Sequence, residues 1–293
     1  MIKKCFVLII IMLFLYKKTH YNLKFDTDTI EPSTDTIEPS TDTIEPSTDT
    51  IELRTIPKII HCTYSTIETI PSYVWENLKK YSNDYKIIFY DDKDCISFLK
   101  KNFNQQYSNK FKKLKIGAHK ADFFRYCVIY ILGGIYLDIK IVPMVNFENI
   151  FNHDEENLLY TCLGSYYKKE NMFEFFKRKI QNKGNGHIFQ AVIASYPKNQ
   201  IFKELINDFF IIQNPHNNYH IFTYKFYDTL YYKLKYHLYP GEHHYKEQKI
   251  ILFNEVNQKQ NINEIKDRYN GYYYIENNDK TIFKSRYNDF PWK

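Results

Sequence analysis

The chain has 293 residues, enough for one large domain or two small ones, with a mean hydropathy of −0.53 and a formal net charge of +6. The charge is unevenly placed: residues 1–25 hold five lysines and no acid, residues 26–52 hold nine acids and no base, and residues 53–293 hold 35 basic against 25 acidic residues, a net of +10. A basic body suits an anionic ligand such as a nucleoside diphosphate, and equally a nucleic acid or an acidic membrane; without zinc-finger spacing or a compact Arg/Lys run, nucleic acid is the weaker reading and is set aside as a partner.

Residues 5–16, CFVLIIIMLFLY, are continuously apolar between Lys3-Lys4 and Lys17-Lys18. A twelve-residue helix covers about 18 Å, less than the ~30 Å hydrocarbon core of a bilayer. The length fits a signal peptide, but no small-residue cleavage site follows, so a short uncleaved signal anchor over residues 1–25 is the favoured reading. That would hold the body on the membrane, lumenal in the Golgi or endoplasmic reticulum, or secreted if the segment is cleaved. No Asn-x-Ser/Thr sequon occurs, which weighs against a selected lumenal glycoprotein.

DTIEPST then repeats three times from Asp28 to Thr48. The seven-residue period suggests a coiled coil, yet Pro32, Pro39 and Pro46 exclude a continuous helix. With one isoleucine per unit the segment cannot offset its ordering entropy, and residues 26–54 read as a disordered, self-repelling stalk. The body is expected to span residues 55–293. The abundance of Lys, Asn, Ile, Tyr and Phe points to an A/T-rich genome, as in some large DNA viruses.

Within the body, IPKIIHCTY (56–64) is β-rich; SYVWENLKKYS (72–82) has helical spacing at Val74, Leu78 and Tyr81; YKIIFY (85–90) is a second strand. Asp91 or Asp92 then caps a helix with Cys95, Phe98 and Leu99 on one face. This alternation predicts an α/β domain with a largely parallel sheet, whose ligand sits beyond the carboxyl ends of the strands. Cys62, Cys95, Cys127 and Cys162 show no Cys-x-x-Cys pair and read as scattered buried thiols.

Residues 121–132, ADFFRYCVIYIL, are apolar on nearly every side and predict a buried helix ended by Gly133, with Gly134 turning the chain into IYLDI. Asp122 and Arg125 share a face at i and i+3. They form either an internal salt bridge or a pair facing a polar ligand; a buried pair is costly without further partners. Asp138 and Lys140, two apart in the expected strand, emerge on one side with Ile139 turned away. Four polar groups would then converge where the strand leaves the sheet.

IPKIIHCTY at 56–64, KADFFRYCVIYILGGIYLDIK at 120–140 and IFQAVIASYPKNQIFKELI at 188–206 resemble glycosyltransferase family 32, the sugar-binding region containing an Asp-x-Asp motif. That family includes the initiating α-1,6-mannosyltransferases and, more distantly, the clostridial glucosylating toxins. The resemblance covers residues 56–206 and fades afterwards. It implies a GT-A fold, a Rossmann-like and mostly parallel sheet holding a UDP- or GDP-sugar, and transfer of a hexose to a glycan or protein acceptor with retention of configuration.

Residue by residue, the resemblance gives Tyr64 to the nucleotide base, Asp122 and Arg125 to the donor sugar and ribose, and Tyr136 to the same donor pocket. Asp138 is the first motif carboxylate, near ribose and metal. Lys140 replaces the second, which in the family binds Mn2+. An ammonium cannot ligate Mn2+ but can neutralise phosphate, so three readings follow: a metal-independent transferase, one with residual metal dependence through Asp138, or an inactive homologue that binds a sugar nucleotide or glycan. Gln190 stands where the family has Asn.

His237, Glu242, His243 and His244 read as a solvated loop in preference to a metal cluster, and the tyrosines of 219–239 as an amphipathic helix and core. Trp292 matches a C-terminal element of the family too loosely to assign.

Overall fold

The computed structural model describes residues 54–164, 186–212, 215, 218–257 and 273–286. The apolar run at 5–16, the acidic repeats and Trp292 lie outside them. Among the described residues no helix is long and apolar enough to cross a membrane.

Strand β1 (Ile59–Thr63) pairs in parallel with β2 (Lys86–Tyr90), Ile60 opposite Ile87 and Cys62 opposite Phe89. Helix α1 (Ser72–Tyr81) connects them and buries Val74 and Leu78, two of the three residues that mark its spacing. Helix α2 (Asp92–Asn102) follows β2 through a capping box: the Asp91 carboxylate accepts from Asp94 N–H and the Asp94 carboxylate from Asp91 N–H. Asn104 caps α3 (Gln105–Lys113), which leads to α4 (Gly117–Leu132).

Helix α4 is buried from Asp122 to Ile129 and at His119. It packs against α2, α3 and the later helix α5 (Gln200–Ile211), which explains a sequence with almost no polar face. Its end is steric. Gly133 has φ +63° and ψ −157°, Gly134 has φ +90°, and Cβ atoms there would lie 2.7 Å from Pro197 and 2.6 Å from the Ile59 carbonyl. The chain therefore folds straight back from α4 into β3 (Gly134–Leu137), parallel to β1.

The sheet continues through β4 (Val142–Pro143), β5 (Leu158–Leu163), β6 (Val192–Ser195), β7 (Gly241–Tyr245), β8 (Gln248–Asn257), β9 (Tyr273–Asn277) and β10 (Lys280–Lys284), with helix α6 (Ile221–Lys233) preceding β7. Its order is β2-β1-β3-β6-β5-β8-β9-β10-β4, and β7 pairs with β8 off this path. The α/β class agrees with the sequence reading, but the sheet is mixed. Parallel pairing is confined to β2-β1-β3 and β5-β8; β6 enters antiparallel between β3 and β5, and the β7 to β10 pairings are antiparallel. Long-range pairing of β6 carries no local signal, so alternation alone suggests more parallel sheet than forms.

One face of the sheet packs α2 to α6 through Phe123, Tyr126, Phe202, Phe209 and Phe226; the other packs α1 with Phe147, Phe151 and Phe283. The expected tyrosine-rich helix is α6, burying Phe222, Phe226, Tyr227, Leu230 and Tyr231. The expected loop at Glu242–His244 is instead β7, held by backbone pairing with β8. His243 there bonds the Tyr239 carbonyl at 2.7 Å. Cys62, Cys95, Cys127 and Cys162 are buried free thiols.

Candidate functional site

A cleft of about 710 Å3 opens beyond the carboxyl ends of β1 and β3, a volume within the ordinary range for small-molecule sites. Tyr64, Asp122, Arg125, Asp138 and Lys140 all line it. Tyr136 is buried behind them: its hydroxyl shares a 2.7 Å hydrogen bond with Thr63 Oγ1, and the Arg125 guanidinium lies 4.6 Å from its ring centre.

Arg125 is the hub. It is 4% exposed, and its Nη2 lies 3.3 Å from both Asp122 Oδ1 and Asp138 Oδ1. Its Nη1 donates to the Gln190 carbonyl at 2.6 Å and its Nε to the Ala121 carbonyl at 3.1 Å. The internal salt bridge expected from spacing is therefore present, and it sits on the cleft wall.

Burial acts against the charge on Arg125, but Tyr136, Asp138 and Asp122 outweigh it, and its pKa is raised. Asp122, 6% exposed, goes the other way from its partner. Burial pushes its carboxyl up to about 6, opposed by Arg125 and Lys140 and assisted by Asp138. The asymmetry is physical: one guanidinium collects two carboxylates and two carbonyls, whereas Asp122 has the guanidinium as its main compensation.

Strand β3 ends at Leu137. Asp138 N–H still donates to the Ala191 carbonyl at 2.9 Å, but Ile141 N–H donates to the Asp138 carbonyl, closing a tight turn over Asp138–Ile141. The strand expected to carry Asp138 and Lys140 side by side is thus absent. The turn leaves Ile139 and Ile141 buried and the two charged residues partly exposed, so the grouping stands for a different reason.

His61 pins the structure beneath. Its two ring nitrogens bond the Tyr90 hydroxyl at 3.1 Å and the Gly133 carbonyl at 3.0 Å, and burial lowers its pKa to about 4. Gln190, 2% exposed on the cleft wall, has an amide lacking hydrogen bonds of ordinary geometry, although the Tyr126 hydroxyl is close enough to interact. Sequence reasoning missed Tyr219, His187, His220, Glu255 and Tyr273 as lining residues. Glu255 and Tyr273 come from β8 and β9, and only tertiary pairing brings them to the cleft.

The donor set fits Mn2+ poorly. Asp138 is committed to Arg125, Lys140 lines the same cleft, and no group of three His, Cys, Asp or Glu residues suited to a metal ion occurs among the described residues. A diphosphate fits better, since Lys115 and Lys140 share the cleft.

Residues 71–157 match the family described as "Glycosyltransferase sugar-binding region containing DXD motif". The chain is 34% identical over 167 residues to the "Uncharacterized glycosyltransferase L373" of Acanthamoeba polyphaga mimivirus, covering 56% of this chain and 59% of that protein. It is also 34% identical over 101 residues to "Mannosyl phosphorylinositol ceramide synthase SUR1" of Saccharomyces cerevisiae, covering 31% of this chain and 26% of the yeast protein. These matches span less than two thirds of either relative. Among solved structures, the "PaToxG Glycosyltransferase" aligns at 15% identity with a TM-score of 0.42, covering 62% of this chain and 70% of that one.

Proposed function

From the match of residues 71–157 to the family of glycosyltransferase sugar-binding regions containing a DXD motif, we propose that the chain transfers a hexose from a UDP- or GDP-sugar to a glycan or protein acceptor, with retention of configuration. The observation that carries this reading is the convergence of Asp122 and Arg125 from α4 with Asp138 and Lys140 from the turn after β3, at the carboxyl edge of the sheet.

In this reading Tyr64 stacks on the base at the end of β1. Arg125 is a positioning residue: saturated by Asp122, Asp138 and two carbonyls, it fixes both carboxylates as acceptors for sugar and ribose hydroxyls. Tyr136 backs the guanidinium from beneath. Lys140 meets the diphosphate and offsets the negative charge that grows on it as the bond between the anomeric carbon and the phosphate oxygen breaks. The acceptor oxygen bonds the anomeric carbon on the face that the diphosphate leaves, and the acceptor's proton passes to the departing phosphate oxygen. Because the carboxylates present suit a metal poorly, transfer proceeds with Lys140 in the metal's place. We assign the catalytic domain to residues 55–293, behind an anchor at 1–25 and a stalk at 26–54.

The test is a thermal-shift panel of the full chain against UDP- and GDP-sugars, with EDTA and with Mn2+. A stabilising donor in EDTA, followed by release of the free nucleoside diphosphate, is the expected result. Binding without transfer or donor hydrolysis under any metal condition would assign a sugar-nucleotide binding module, a reading that the replacement of the second motif carboxylate by Lys140 favours. Failure of every donor to bind refutes both.

A further inference from the structure

We propose that the lysine-rich face formed by the end of α2, by α3 and by the approach to α4 is a docking surface for an anionic lipid bilayer. Residues 95–121 contain seven lysines and no acidic residue, in a body whose acids otherwise occur about once in every nine residues. Drift toward A/T-rich codons accounts for lysines. It does not account for the missing acids.

The fold gathers these lysines. Helices α2 and α3 are joined through Phe103 and Asn104, and α3 packs against both α2 and α4. The first two turns of α3 meet the end of α5: the Tyr107 and Phe210 rings lie 4.5 Å apart, and Lys110 Nζ donates to the Ile212 carbonyl at 2.9 Å. Lys120 is taken up by Asp92, but Lys100, Lys101, Lys112, Lys113 and Lys115 are exposed and none forms an ion pair with a described residue.

Two apolar side chains stand beside this charge. Ile211, at the end of α5 next to Lys110, is 72% exposed. Tyr219 is 56% exposed, on the cleft wall with Lys115. Lysines meeting lipid phosphates and an isoleucine and a tyrosine entering the headgroup layer are what an anionic interface accepts. A soluble polyanion has a use for the lysines and none for Ile211. Because Lys115 and Tyr219 belong to both surfaces, docking would turn the mouth of the cleft toward the bilayer. The proposal rests on charge and exposure, independently of the transferase reading.

The test is co-sedimentation of the full chain with phosphatidylcholine vesicles and with phosphatidylcholine–phosphatidylserine vesicles. Their ratio cancels what the apolar N-terminal run contributes to both, and the five lysines of residues 1–25, which also favour anionic vesicles, are common to the wild type and the variants compared. The wild type should prefer the anionic vesicles, less so as salt rises. Lys112→Ala with Lys113→Ala should reduce that preference roughly 25-fold, about fivefold per lysine, with an unchanged melting curve because both are exposed. Ile211→Ser, which removes the apolar contact without adding charge, should reduce it as well. An undiminished preference in the double variant, or none in the wild type, overturns the proposal. So does a single-stranded oligonucleotide that binds as well as the anionic vesicles with indifference to Ile211→Ser, which would assign the face to nucleic acid.

Discussion

Replacing Asp122 by asparagine should make the protein more stable, by an amount that depends on pH in a defined direction. The Asp122 carboxyl is raised from 3.8 to about 6 by burial, so the folded protein holds its proton more tightly than the unfolded chain. Its contribution to stability is complete below about pH 4, where both states are protonated, and is lost as pH rises through about 6. The shift of about two units corresponds to about 3 kcal/mol. An asparagine side chain would stay neutral throughout and could still accept from Arg125. The stability difference between Asp122→Asn and wild type should therefore grow in the variant's favour by about 3 kcal/mol between about pH 4 and neutrality.

Urea unfolding of both proteins across that range reads the difference from the midpoints, with unchanged slopes as the control. His61 and His187, both lowered to about 4, lose stability in the opposite direction as pH falls through the same window. They are common to both proteins and cancel. A flat difference would mean that Asp122 is not shifted. A difference falling toward neutral pH would mean that the ion pair with Arg125 outweighs desolvation, refuting the energetic account of the hub.

Lys140→Ala should weaken donor binding about 10- to 100-fold, the worth of one charge-assisted contact, with no rescue by Mn2+; titration calorimetry in EDTA and in Mn2+ checks both parts. Gly134→Ala should destabilise the fold by about 2–5 kcal/mol, since a Cβ would meet the Ile59 carbonyl at 2.6 Å with φ at +90°, and the loss should appear in the urea midpoint.

Much of the first ninety residues of the body was legible because local rules and tertiary structure agree there. Val74 and Leu78 announce a helix and are buried in one, and Asp91 announces a cap and forms it with Asp94. Asp122 and Arg125 were legible as a pair because a helix fixes which residues share a face. Asp138 and Lys140 show the limit: LDIKI alternates as a strand does, and a turn that buries Ile139 and Ile141 produces the same alternation. Glu242, His243 and His244 have weak strand propensity, and only the neighbouring β8 makes them a strand. The antiparallel entry of β6, and with it the position of Gln190 behind Arg125, depends on partners far away in sequence.

The glycine pair at 133–134 works as the pivot of a two-armed gauge. From Gly133 back to Arg125 the helical arm rises about 12 Å, and from Gly134 forward to Asp138 the extended arm runs about 13 Å. The tips meet because the arms are nearly equal, and the residue count on each side is what sets that equality. Inserting one residue into the helical arm would swing Arg125 through about 100° and away from Asp138, while inserting one into the extended arm would present the opposite face of β3. The number of residues from Arg125 to Asp138 cannot be changed without parting the hub.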